Sequence, residues 1–310
     1  MGLDNIVIPS YADIFFAIFV VEIIIGTFTN AFIILVNLRD WVKGQILNSS
    51  DRLVVSLALS NACFVFGNAA SVVFYIYFTG LVFLDYVFYT LYGVMMYTIF
   101  SSSWLSSWLC LFFFLKLITF KGGCFGWMKV KVESLVPWLI FSSQVISFFS
   151  SLPFIWTTTK VFSSNFTSLD LGANQTLKVI GYKINDSYIF FSLIVNCFVP
   201  FLIVTATTGR IIASLTLHAQ HMKQNMEDSR GASLKVHRAA ARTMSSLLLI
   251  YLIFYVVEIA LGFLPMDSPM YWICYVLILV FPNLQSIILI TGNSKLRQVW
   301  SDLMNCKKKH

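Results

Sequence analysis

The stretch "ILITGNSKLRQVW", Ile288 to Trp300, changes character halfway, from an apolar run that stops at Gly292 and Asn293 to a basic, striped segment. Gly292 and Asn293 break one helix, and Asn293 or Ser294 can cap the next. Leu296, Val299, Trp300, Leu303 and Met304 then recur at i, i+3, i+4, i+7 and i+8. The pattern describes a membrane-crossing helix followed by a short amphipathic one, residues 294–304, lying along the inner leaflet with Lys295 and Arg297 at the headgroups.

Working outward, the rest of the chain is equally apolar. Of 310 residues, 58% are hydrophobic and 11% charged, and the mean hydropathy is +0.80; a soluble domain carries about 25% charged residues. Runs long enough to cross a bilayer cover Ile14 to Leu38, Leu53 to Phe78, Tyr86 to Leu117, Val132 to Ile155, Tyr188 to Leu215, Arg242 to Phe263 and Pro269 to Ile290. The expected fold is all-α, a seven-transmembrane helix bundle of one domain (1–310) with a short amphipathic eighth helix. No internal repeat is visible, which argues against the duplicated architectures of many secondary transporters.

Lys and Arg set the orientation, since they are retained on the cytoplasmic side of short loops. Of the 21, 18 fall in the first, third and fifth connections and the tail, so the N-terminus is expected outside and the C-terminus inside, in the plasma membrane. The first twelve residues carry only Asp4 as a charge, and the first apolar run is too long for a signal peptide, so it reads as an uncleaved first helix. The net charge of +7 is then a cytoplasmic feature suited to anionic lipid or an acidic partner. The fourth connection, residues 154–187, becomes a long extracellular loop. It holds three N-glycosylation sequons, at Asn165, Asn174 and Asn185, while the similar "NSS" at Asn48 is expected in the cytoplasm.

Acids inside spans cost about 2.5 to 3.5 kcal/mol on insertion scales, so Glu22 and Glu258 need compensating roles. Glu22 suits helix packing or hydrogen bonding; Glu258, one turn from the outer end of the sixth span, is a candidate ligand contact. Asn30, Asn37, Asn61, Asn68 and Asn196 suit interhelical hydrogen bonds. Catalytic motifs are missing: there is no Gly-rich phosphate loop, nucleophile elbow or HExxH. His218 and His221 share a helix face without a third ligand, so neither enzyme, metal nor cofactor is expected.

Seven helices, an outer N-terminus and an inner eighth helix are the layout of G-protein-coupled receptors, yet the third span ends in "FFFLKLITF" where rhodopsin-like receptors carry an acidic-Arg pair. The six cysteines are Cys63, Cys110, Cys124, Cys197, Cys274 and Cys306, so Trp156 to Ser187 has none to bridge to the top of the third helix. Five segments in order carry a closer resemblance: "EIIIGTFTNAFIILVN" with Glu22, Gly26, Asn30, Val36 and Asn37; "LALSN"; Trp104 followed by "FFFLKL"; "SLTLHAQHM" with "SLKVHRAAARTM"; and "GNSKL". Together they resemble the vertebrate bitter taste receptors, taste receptor type 2, from the first span to the eighth helix. The resemblance implies a chemoreceptor for small bitter molecules that activates a heterotrimeric, gustducin-like G protein and calcium release. The alternatives are a vomeronasal type 1-like chemoreceptor, disfavoured by "GNSKL", and a seven-helix transporter, which would need a polar path through the membrane.

The resemblance places ligand contacts at Met95, Met96, Ile99 and Phe100 in the third span and Ile189, Ser192 and Leu193 in the fifth. It adds Phe254, Tyr255 and Glu258 in the sixth and Tyr271, Tyr275 and Ile278 in the seventh. Departures matter: Asn61 stands where most members have Arg, and Gln285 where many have His. Met95 and Ile99 replace a Trp and an Asn, Tyr275 an acid, and Phe254 the Tyr of the switch position. Such a pocket favours an uncharged, hydrophobic or sterol-like ligand. On the inner side Lys116, His218, Met222, His237 and Arg238 lie on the elements that separate when such bundles open, and are expected to meet the G protein. Among the sequons the resemblance favours Asn174.

Asn174→Gln is expected to shift the protein to a faster-migrating band and lower surface delivery, and Asn48→Gln to change neither. Gel mobility before and after glycosidase checks both, and a glycan on Asn48 would reverse the orientation.

Overall fold

In a bilayer only a structure that satisfies its own backbone polar groups can span, so long apolar runs fold as helices. The computed structural model describes residues 12–78, 81, 84–118, 123–163, 178–224, 231–264 and 268–306; for some of these, 215–224 and 231–240 among them, it describes the backbone alone. The elements are α1 (Ala12–Val42), α2 (Ser49–Tyr77), α3 (Asp85–Leu117), α4 (Gly123–Val130), α5 (Val132–Ser151) and the single turn α6 (Phe154–Thr157). Strands β1 (Thr159–Ser163) and β2 (Lys178–Lys183) pair antiparallel, with an irregularity between Val161 and Phe162. Helix α7 comprises Asp186–Leu193, a π turn over Ile194–Phe198 and Val199–Gln224; α8 (Gly231–Phe263), α9 (Pro269–Gly292) and α10 (Ser294–Cys306) follow. Seven of them, α1, α2, α3, α5, α7, α8 and α9, are long and apolar enough to cross a membrane, which bears out the seven-helix reading.

The helices overrun the apolar runs wherever good helix formers continue. The stretch "GASLKVHRAAART" starts α8 well before Arg242, because Ala, Leu, Lys and Arg have high helix propensity. Pro153 does the opposite: α5 stops at Ser151, and the chain turns before α6. In α7, Pro200 has no N–H to return to the carbonyl of Asn196, and the helix widens so that Val199 N–H reaches Ile194 instead.

Helix α3 forms the centre, most of its surface covered by α2, α5 and α7. Its run "SSSWLSS" makes this possible, since small side chains let neighbouring backbones approach and the hydroxyls bond across helices. Ser102 Oγ donates to Asn61 Oδ1 on α2 (2.6 Å), Asn61 Nδ2 to Gln285 Oε1 on α9 (2.8 Å), and Gln285 Nε2 to Ser106 Oγ on α3 (2.6 Å), closing a ring. Next to it Ser286 Oγ donates to Asn30 Oδ1 on α1 (2.6 Å), and Asn283 Nδ2 to the carbonyl (2.9 Å) and carboxyl group of Glu22. Asn61, Gln285, Ser102 and Ser106 are almost fully buried, so each bond replaces one otherwise missing. Gly26 permits the closeness of α1, α2 and α9, because a Cβ there would collide with Asn283 and Val65.

The quoted segment corrects the surface reading of Lys295. Asn293 Oδ1 caps α10, accepting from Lys295 N–H (3.0 Å) and Leu296 N–H (3.3 Å). The Lys295 ammonium turns inward: it pairs with Asp40 (2.7 Å) and Asp51 (3.4 Å) and donates to Asn37 Oδ1 (2.8 Å). Three anionic or carbonyl acceptors at one point outcompete the headgroups, and α10 is pinned to α1 and α2. Leu296 is buried, and Trp300 meets Phe28 and Phe32 of α1 edge-on, at 5.9 and 5.2 Å.

Lys295→Ala leaves Asp40 and the buried Asp51 uncompensated and is expected to cost about 3 kcal/mol, the lower end for breaking a buried pair. Lys295→Arg retains the charge and most of the stability, and thermal unfolding in detergent checks the order.

Candidate ligand-binding site

At the end of the bundle that carries the β-hairpin, α3, α7, α8 and α9 enclose a largely apolar region. Met95, Ile99, Phe100, Phe254 and Ile278 are buried in one hydrophobic cluster, against which Met96, Leu193, Tyr255 and Tyr275 pack. Polar groups reach this region from all four helices. Tyr92, one turn before Met95 and Met96, lies within electrostatic reach of Glu258 on α8 and of Tyr271 and Tyr275 on α9, while Glu258 also reaches Cys197 on α7. The Tyr271 and Tyr275 rings lie parallel at 6.5 Å, and Tyr275 OH donates to Asn68 Oδ1 on α2 (3.4 Å). In the π turn, Asn196 Oδ1 accepts from Trp104 Nε1 (3.2 Å), and its buried Nδ2 has no protein acceptor among the described residues. Apolar walls with a few convergent polar groups are the makeup of a small-molecule site.

The hairpin is fastened to the start of α3 without a covalent bond. Tyr182 stacks on Phe88 at 3.8 Å and 10°, its hydroxyl donates to Asp85 (2.9 Å), and Lys160 pairs with the same carboxylate (2.8 Å). Burial, followed by the Asp85 carboxylate, pushes the Tyr182 phenol above its ordinary range. Beneath it Phe154 is fully buried among Phe88, Tyr89, Tyr92 and Tyr188. Cys63, Cys110, Cys124, Cys197 and Cys274 are all free thiols.

A family model for taste receptor protein (TAS2R) matches residues 7–308. The chain belongs to the taste receptor type 2 family. It is similar to taste receptor type 2 member 40 of Gallus gallus, 26% identical over 92% of each chain, and to member 39 of Homo sapiens, 28% identical over 95% of this chain and 87% of that one. Member 14 of Pongo pygmaeus is 29% identical over 91% of this chain and 88% of its own. A bitter taste receptor is thus a multi-pass plasma-membrane protein that couples small ligands to a G protein, and it is no enzyme. Neither the vomeronasal nor the transporter alternative is favoured by these matches.

Within the receptor, the other two α7 residues expected at the ligand are Ser192 and Ile189. Ser192 Oγ is engaged by the Ile189 carbonyl of its own helix (2.9 Å), and Ile189 is half-buried without joining the hydrophobic core. Tyr255 faces α7, its ring parallel to Phe201 at 6.0 Å. The sequence reading of Asn196 as interhelical glue is borne out by its bond to Trp104 of α3, whereas Tyr92 was not singled out. The signal for Tyr92 was its helical spacing from Met95, Met96 and Ile99.

Asn185 caps α7, accepting from Ser187 N–H (2.8 Å), whereas Asn165 and Asn174 lie outside the described residues. At the α10 end Lys116 is exposed, its ammonium 5.4 Å from the Phe112 ring. His218 and Met222 fall near the end of α7 and His237 and Arg238 near the start of α8; their side chains lie outside the described set.

Because the hairpin anchor is ionic and aromatic, mild reductant is expected to leave ligand binding intact. Asp85→Asn combined with Tyr182→Phe removes two charge-assisted contacts and is expected to speed hydrogen exchange of the β1–β2 amides roughly tenfold. Exchange mass spectrometry, with and without reductant, checks both.

Proposed function

We propose that the hairpin end of the receptor faces outward and admits small, uncharged, largely apolar bitter molecules into the region around Tyr92, Glu258, Tyr271 and Tyr275, and that the α10 end is cytoplasmic. The single observation that carries this reading is the buried apolar cluster of Met95, Ile99, Phe100, Phe254 and Ile278, with Tyr275 packed on it between the Tyr271 ring and Asn68. Met95, Met96, Ile99, Phe100, Leu193, Phe254 and Ile278 supply area, and Glu258, the tyrosine hydroxyls and Asn196 Nδ2 orient the ligand. Lys and Arg counts support the orientation, with 18 of 21 on the α10 side.

Packing gives such a ligand a route to the opposite end. Phe254 stacks on Phe281 of α9 at 4.2 Å; Phe281 meets Tyr251 edge-on at 5.2 Å; Tyr251 OH donates to the Ser103 carbonyl (3.1 Å), next to the Ser102 that bonds Asn61. A ligand that displaces Phe254 therefore pushes on the contact that holds α8 to α3. Further along, the α8 residue Thr243 packs onto Gly292 of α9, where a Cβ would collide. Parting α8 from this seat opens the cytoplasmic end, where Lys116, His218, Met222, His237 and Arg238 meet a gustducin-like G protein, leading to calcium release.

Tyr275→Ala is expected to raise the agonist concentration for half-maximal calcium release roughly tenfold, the scale of one lost hydrogen bond and its ring contact. His218→Ala and Lys116→Ala are expected to lower the maximum at equal surface expression, and Lys307→Gln to change neither. Calcium imaging over a bitter-compound panel reads both quantities, and a normal maximum from both coupling variants would refute the coupling face.

A further inference from the structure

The connection between α1 and α2 carries a cavity separate from the bundle interior. Trp41, Gly44, Gln45, Ile46, Leu47 and Arg52 line a surface pocket of about 330 Å³. Around it the charges are segregated. Both acids of this stretch, Asp40 and Asp51, turn away to Lys295, so among the described residues no carboxylate pairs with Arg39, Lys43 or Arg52. Arg52 Nε donates to the Leu47 carbonyl at 3.1 Å, which fixes the guanidinium at the pocket wall. Its two terminal amino groups have no protein acceptor among the described residues, and a guanidinium presented this way is suited to a bidentate oxyanion.

The same connection exposes apolar bulk. Trp41, Val42 and Ile46 are 63%, 73% and 85% exposed, at the point where a membrane-crossing helix ends. A tryptophan beside cations at a span end is the composition of a headgroup-level anchor. We propose that this pocket binds the phosphate group of an anionic phospholipid, with Arg52 on the phosphate, the exposed Lys43 of the same connection adding its charge beside the pocket, and Trp41 and Ile46 at the acyl boundary. Charge complementarity selects the anionic lipid, and the cavity exceeds a bare phosphate, leaving room for a headgroup. Occupancy braces the connection whose two acids hold Lys295, so the lipid and α10 grip the same residues from opposite sides.

The test uses the full-length receptor in nanodiscs of mixed phosphatidylcholine and phosphatidic acid, released into native mass spectrometry. Both leaflets have the same composition, so the result does not depend on which end of the receptor is cytoplasmic, and failure here is distinguishable from failure of the proposed orientation. The wild type is expected to retain phosphatidic acid over phosphatidylcholine roughly tenfold, the scale of one to two cationic contacts. Arg52→Gln and Lys43→Gln each lower that preference severalfold, the double variant abolishes it, and Lys160→Gln at the hairpin end leaves it unchanged. Arg52→Lys, which keeps the charge but loses the Leu47 bond, retains part. Lys43 is exposed, so its variant remains informative even if Arg52 variants unfold. An undiminished preference in the double variant, or equal retention of phosphatidylcholine by the wild type, would each overturn the proposal.

Discussion

The hydrogen bond between the Asn61 and Gln285 side chains organises the bundle, because it joins α2 to α9 at a depth where neither amide can reach water. The resemblance read from the sequence implies an Arg and a His at these two positions, and here the two amides meet each other instead. A neutral amide pair needs no counter-ion and fits the apolar surroundings better than a lone charge would. Ser102 and Ser106 complete the ring, so α3 is bound in as well, and Ser286 with Asn283 extends it to α1. Helix α8 meets this lattice through the Tyr251 hydroxyl, and α7 meets α3 through Asn196 and the Pro200 carbonyl. Four helices thus form a braced frame, and α7 and α8 are attached to α3 through few polar contacts, which a modest differential free energy can break.

Both ends of α3's neighbourhood use a lysine to fasten a peripheral element, with different consequences. Lys295 is held by two carboxylates, one almost fully buried, and contributes to stability. Lys160 and Asp85 are 38% and 47% exposed, so their pair is worth about 0 to 1 kcal/mol and acts mainly to position the hairpin beside the stacked Tyr182. One end of the receptor is fixed and the other is adjustable, a division that suits a site that must admit varied ligands.

Hydropathy made the seven helices legible because the bilayer leaves one solution for a long apolar run, and periodicity made α10 legible because its stripe is narrow. The polar lattice was legible only in part: Asn30, Asn61, Asn68 and Asn196 could be assigned to interhelical bonding by cost alone, but no one-dimensional rule pairs Asn61 with Gln285, 224 positions away. Lys295 was misread for a related reason, since a basic residue on an amphipathic stripe looks solvated until Asp40 and Asp51 arrive from other helices. The hairpin was not foreseen, as Thr159–Ser163 and Lys178–Lys183 are short strands in a loop with no core of their own. Around the ligand site the helix faces could be counted for α3, α8 and α9, which are regular there. In α7 Leu193 could be counted as well, but the turn that brings Asn196 to face α3 could not.

That turn is a π turn. A regular helix advances about 100° per residue, and the widened turn at Ile194–Phe198 absorbs one residue without that rotation. Everything in α7 on the hairpin side of it is offset by one position relative to an unbroken helix, and Asn196 within the turn comes to face Trp104 of α3. The turn thus acts as a frameshift in the helical register. A chain one residue shorter here would turn the hairpin side of α7 by about 100° and present a different set of side chains to the same region, so a single-codon deletion is a route by which such a receptor could change its chemical repertoire without any substitution in that helix.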